Sequence, residues 1–195
     1  QSYLQWTILA MQNDLAFTVD TLSNESNINR GRNSCAAKFL KGDCTHLMFV
    51  DADIGWNPVD VVKLVNHERD IVVGAYPQKT MPAKYVVNVT KDGEREGDLV
   101  EVDSAGTGFM LISRNVFERL IQKGATKYHD DIGLDRETNA NQYDFFNCTV
   151  ESGQYLTEDY SFCHSVRRAG FSIFMDKTIN LTHTGYWRFP GDSAM

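Results

Sequence analysis

The run Thr45-His46-Leu47-Met48-Phe49-Val50-Asp51-Ala52-Asp53 constrains this chain more than any other stretch. Its apolar part, Leu47 to Val50, reads as a strand buried on both faces and central to a sheet. Two carboxylates, Asp51 and Asp53, then stand where that strand runs out. An unpaired charge inside a sheet costs many kcal/mol, so they belong at its carboxyl edge, where open α/β sheets bind their ligands. There they can share a hard divalent cation. Without one, carboxylates about 4 Å apart repel by roughly 1 kcal/mol in water and by about 4 kcal/mol at an intermediate dielectric. The competing reading is a solvated Asx-type turn.

The rest of the pattern predicts alternating elements. Ser2 to Asn13 reads as a helix, Leu15 to Val19 as a short strand, and Arg30 to Leu40 as a second helix. Pro58 suits the first turn of a helix over Val59 to Asn66, and Ile71 to Gly74 is another apolar strand. Lys84 to Val89 and Leu99 to Val102 read as strands flanking a polar turn. Gly108 to Ile112 is a buried strand leading into a helix, Val116 to Gln122, that Gly124 stops. Tyr128 to Tyr143 is polar and irregular. A helix from Glu158 to Arg168 ends at Gly170, and Phe171 to Met175 and Ile179 to Leu181 close the chain as strands. This order predicts one α/β domain over residues 1–195 with a mixed, mostly parallel sheet flanked by helices. A nucleotide-binding α/β unit normally begins on a strand and this chain begins on a helix, so a first strand is expected to be missing.

Bulk properties narrow the partners. A net charge of -7 argues against a nucleic-acid binder that works through a basic face. It leaves room for an anionic small ligand, because a bound Mn²⁺ or Mg²⁺ would change the local charge. The cysteines, Cys35, Cys44, Cys148 and Cys163, are scattered without a CxxC pair, which fits a reducing compartment and a cytoplasmic location. No apolar run approaches the length of a transmembrane helix.

Three further stretches can carry chemistry. In Ser104-Ala105-Gly106-Thr107-Gly108-Phe109-Met110, two glycines flanking Thr107 allow close approach to a ligand and leave room for a sugar ring; a tight bend explains them equally well. In Leu156-Thr157-Glu158-Asp159-Tyr160, Thr157 is a good N-cap and the carboxylates suit a first helical turn. Functionally, Asp159, with Glu158 as the alternative, would be a general base taking the proton of an acceptor hydroxyl. His183 follows a short strand, where a neutral imidazole would complete an Asp51/Asp53/His183 metal site. Arg30, Arg32 and Lys79 are candidates for binding a diphosphate or a base, or are ordinary surface charges.

Taken in order, Arg30-Gly31-Arg32-Asn33, Thr45 to Asp53, Gly74-Ala75-Tyr76-Pro77, Ala105 to Ile112, Leu156 to Phe162 and His183 to Gly191 make the chain resemble a GT-A-type glycosyltransferase. The similarity is to compact domains of large algal viruses and bacteria. It implies a Rossmann-like nucleotide-binding fold and transfer of a sugar from a nucleoside-diphosphate donor, UDP favoured, to a hydroxyl of a glycan acceptor. It further implies that Asp53 contacts the metal directly, that Asp51 contacts the ribose or the metal through water, and that His183 completes the metal shell. Gly106 and Thr107 would border the donor, with Arg30 and Lys79 near its diphosphate. The departure is at the amino end, where the strand that normally forms part of the base pocket is not visible. Rival readings are a sugar-1-phosphate nucleotidyltransferase, a metal-dependent phosphohydrolase, and a non-catalytic nucleotide- or carbohydrate-binding module.

Overall fold

A computed structural model of the chain describes residues 2–190 apart from 131 and 132. The elements, in chain order, begin with α1 (Ser2–Gln12), α2 (Ile28–Lys41), β1 (His46–Val50), β2 (Ile54–Gly55), α3 (Pro58–Asn66) and β3 (Ile71–Val73). Next come β4 (Val87–Val89), β5 (Arg95–Glu96), β6 (Leu99–Ala105), β7 (Phe109–Ser113), α4 (Arg114–Gln122) and α5 (Arg136–Asn139). The last are β8 (Thr149–Glu151), β9 (Gln154–Leu156), α6 (Glu158–Arg168), β10 (Ile173–Asp176), β11 (Thr182–Thr184) and β12 (Arg188–Pro190). They fall into two compact units, one made of the residues up to Phe17, Met48–Ile112 and those from Ser172 on, the other of Thr18–Leu47 and Ser113–Phe171.

The first unit is built on a sheet of order β1-β7-β3-β10-β6-β4, with β5 paired to β6. It is an α/β arrangement, but the expectation of a mostly parallel sheet is corrected. β10 runs parallel to β3, whereas β7 on β3, β6 on β10, and β4 and β5 on β6 are all antiparallel. Short links account for β4 and β5 on β6, since a parallel neighbour needs a crossover of a dozen or more residues, whereas β7 on β3 and β10 on β6 follow long connections that permit either direction.

Burial follows the pairing. Ile71, Val72 and Val73 are fully buried, as are Phe109, Met110 and Ile112. β1, expected to be central and buried on both faces, instead ends the strand order, and only Phe49 of its five residues is buried. Leu15 to Val19 forms no strand. Ile179 and Leu181 are buried but irregular, and the ladder expected there lies one step further on, in β11. α1 carries no charged residue and buries Trp6 and Ala10 in a core shared with Leu64 and Val61 of α3. Asn57 starts α3 through a capping box: its side chain accepts from the first turn while Asp60 reaches back to the Asn57 amide, ahead of Pro58 at the first helical position.

Beside this core, the buried Asp176 carboxylate sits 2.8 Å from His67 Nε2 and accepts two bonds of 2.7 Å, from the backbone N–H and the hydroxyl of Thr178. Burial pushes this carboxyl up, but the His67 and Thr178 bonds outweigh it and hold it below the usual carboxylate range. A carboxyl whose folded value lies below its unfolded value of about 3.9 contributes stability that is fully present above that unfolded value and lost as pH falls through the folded one. Asp176→Asn is therefore expected to lower stability near neutral pH and to flatten the acid limb. Thermal midpoints followed downward in pH should fall faster for the wild type; parallel curves would dismiss the link.

The second unit combines α2, α4, α5 and α6 with the antiparallel pair β8–β9 and has an aromatic core. Phe146 stacks on Phe162 at 4.4 Å, and Phe117 meets Phe39, Phe145 and Phe162. Asn33, on α2, spans this unit with its side-chain amide: its Nδ2 donates to Asp144 at 3.1 Å and its Oδ1 accepts from the Phe146 amide at 2.9 Å. Arg114 closes the end of α2. Its guanidinium donates to the carbonyls of Phe39, Gly42 and Cys44 at 2.9–3.0 Å and lies over the Phe39 ring. Carbonyls at a helix terminus lack partners within the helix, and a cation there answers both the hydrogen bonds and the dipole.

Candidate functional site

The end of β1 turns sharply. The Asp51 amide donates to the Gly108 carbonyl at 2.9 Å, and the Ile54 amide closes the turn onto the Asp51 carbonyl at 3.1 Å. β2 then pairs with β11, setting His183 opposite Ile54, and the Thr184 amide binds the Asp53 carbonyl at 2.8 Å. This ladder brings Asp53 and His183 together, with Asp53 Oδ2 3.3 Å from His183 Nε2. Lys79 reaches the same oxygen, its ammonium 2.6 Å away. Burial pushes the Asp53 carboxyl up, while the Lys79 hydrogen bond and the neighbouring charges of His183 and Lys79 more than offset it and leave it below its ordinary value.

The orientation of His183 is fixed from behind. Its Nδ1 lies 2.8 Å from the Pro77 carbonyl, and its ring meets the edge of Tyr76. A carbonyl only accepts, so Nδ1 carries the proton and, in the neutral ring, Nε2 presents a lone pair to Asp53. Two acceptors 3.3 Å apart need a proton or a cation between them. A backbone carbonyl on the far nitrogen is also how metal-ligating histidines are held. A proton on His183 meets that need, and so would a divalent cation, to which the pair offers one oxygen and one nitrogen. The three-ligand set expected from sequence is not assembled. Among the described residues no three His, Cys, Asp or Glu side chains converge to hold a metal ion. The Asp51 carboxylate instead lies against Gly108, where a Cβ would come within 2.9 Å of its Oδ2.

The glycine pair has a different use from the one expected. A Cβ on Gly106 would collide with the Tyr76 hydroxyl, and one on Gly108 would come within 2.9 Å of the Tyr76 ring. The room they leave is filled by Tyr76, not held open for a sugar. Gly106, Thr107 and Gly108 are all buried. Thr107 Oγ1, at the bend between them, is buried without a hydrogen-bond partner among the described residues.

The remaining candidates lie in the second unit. Arg30 forks onto Glu25 through bonds of 2.8 and 2.9 Å, so its cation is already engaged. Arg32 is buried within α2. Glu158 and Asp159 open α6 as expected, but the Thr157 side chain does not cap the helix; its hydroxyl donates to Asp159, which also accepts from the Tyr160 amide at 2.9 Å. Sequence reasoning named Tyr76 and Pro77 within the stretch Gly74-Ala75-Tyr76-Pro77 but gave neither a role; Pro77 acts through its carbonyl, which every residue has, and Tyr76 through the small residues it packs on.

No protein-family model matches this chain, and neither does any curated protein. Its structure is similar to the crystal structure of A197 from STIV, with a TM-score of 0.53 and 20% sequence identity over 97% of this chain and 87% of that one. A likeness at that identity is one of fold. Among the described residues no helix is long and apolar enough to cross a membrane.

Proposed function

We propose that this chain is a metal-dependent glycosyltransferase of the GT-A type, moving a sugar from a nucleoside diphosphate, UDP favoured, to a glycan hydroxyl. The observation that carries the reading is the Asp53–His183 pair, with the imidazole pinned by Pro77 so that its free nitrogen faces the carboxylate. In this reading Asp53 and His183 hold Mn²⁺ or Mg²⁺, which when bound neutralises charge developing on the diphosphate leaving group. Lys79 exchanges Asp53 for a phosphate oxygen, a move that its exposed, flexible side chain permits. Asp51 serves the ribose or an outer position, and Gly106 and Thr107 shape the wall behind it. The resemblance gives the base to Asp159, with Glu158 as the alternative. A proton taken from the acceptor opposite the leaving group would invert the anomeric centre.

Calorimetric titration of UDP into the protein with Mn²⁺ and with EDTA tests the site. Binding that requires the metal supports it, and equal binding in EDTA removes it. Asp159→Asn then tests the chemistry. Nucleotide binding should persist while transfer falls by about 10²–10⁴-fold, the range for losing a general base. Unchanged transfer would dismiss Asp159 from that role.

A further inference from the structure

A second surface of the first unit has the chemistry of a saccharide site. A groove of about 610 Å³ runs between α1, the start of α3 and the residues before and at the start of β11, lined by Gln5, Trp56, Asn57, Asn180 and Thr182 among others. No residue lining it is charged. Trp56 is half-buried, held by an edge contact with Tyr3 at 5.6 Å and by Phe109 at 6.0 Å, so its indole is fixed where it borders the groove. The side chains of Gln5, Asn180 and Thr182 spend no hydrogen bond within the described residues. A rigid aromatic ring with uncommitted amides and a hydroxyl around it suits a neutral polyol. The ring's negative face meets the weakly positive C–H side of a sugar, and the amides and hydroxyl donate to and accept from its hydroxyls.

The same groove is poorly made for an anion. The N-terminus of α3 borders it and would otherwise draw negative charge, but Asn57 and the Asp60 carboxylate already satisfy that terminus. The groove is also distinct from the Asp53–His183 pair. Successive side chains of β11 point to opposite faces, so Thr182, which lines the groove, faces away from His183. We infer that this groove binds a neutral saccharide through Trp56, Gln5, Asn57 and Asn180, independently of metal and nucleotide. This goes beyond the proposed transferase activity and stands or falls separately from it.

The test is an NMR titration of the full chain, in EDTA and without nucleotide, with lactose, maltose, cellobiose and chitobiose as probes. Saturable shifts of the Trp56 indole and of the Asn57 and Asn180 side-chain amides are expected with at least one probe, while the Trp6 indole stays still. Asn180→Ala and Gln5→Ala, both at exposed positions, should each weaken binding by about fivefold, the worth of one hydrogen bond. Trp56→Ala should abolish it; because Trp56 also packs on Phe109, the exposed variants keep the test valid if that protein misfolds. Silence from all the probes, shifts that bypass these groups, or equal shifts with inorganic phosphate would overturn the inference. Loss of UDP binding in Asp53→Ala has no bearing on these signals, so the two readings fail independently.

Discussion

Asp53→Ala is expected to abolish manganese-dependent binding of UDP. The loss should be about a hundredfold or more, since even outer partners of a ligand are worth 10–100-fold. The variant removes the carboxylate that meets both His183 and Lys79, leaving the imidazole without its partner and the ammonium without its 2.6 Å contact. Asp53 is partly exposed, so the fold should survive, and the Thr184 bond to its backbone carbonyl is untouched by the substitution. Calorimetry with Mn²⁺, beside circular dichroism to confirm folding, decides it. A folded variant that binds UDP as the wild type does would reduce the site to an ion pair on a turn, with Lys79 as its only cation of consequence.

Phe162→Ala should bring the largest loss of stability, about 3–5 kcal/mol. Phe162 is fully buried, stacked on Phe146 at 4.4 Å and tilted against Phe117, so truncation opens a cavity walled by rigid rings that cannot collapse into it. A domain with a typical stability of about 5–15 kcal/mol would keep only part of it. Denaturant unfolding with unchanged slope and a lower midpoint is the expected readout; a shift worth less than about 1 kcal/mol would mean that the second unit repacks.

The elements that sequence reasoning reached are those whose signals are local. α6 was legible because Thr157, the acidic first turn and Gly170 mark both of its ends, and α3 because Pro58 marks its start. Sheet order was not legible in the same way. An apolar run such as Leu47 to Val50 says that a strand exists, not which neighbours it takes, and β1 at the end of the order reads in sequence as though it were central. The site divides along the same line. The chemistry of Asp53, Lys79 and His183 is written in their side chains, and these do converge. Gly106 and Gly108 failed as a guide because a missing Cβ records only that something comes close; here that something is Tyr76. The partner of Arg30 was not legible either: Glu25, five residues away in sequence, takes its guanidinium through two bonds.

The bond between His183 and Pro77 joins residues 106 apart in sequence, and the β2–β11 ladder joins the ends of the first unit over a comparable stretch. Contacts of such separation come late in folding, because the entropy of closing the intervening loop is lost before they return anything. The helices and the β6–β5 hairpin can form from neighbouring residues, whereas Asp53 and His183 meet only after that long loop closes. The Asp53–His183 pair is therefore a product of tertiary closure and not of local structure, and any variant that slows the β2–β11 pairing should delay it while leaving the helices to form at their own rate.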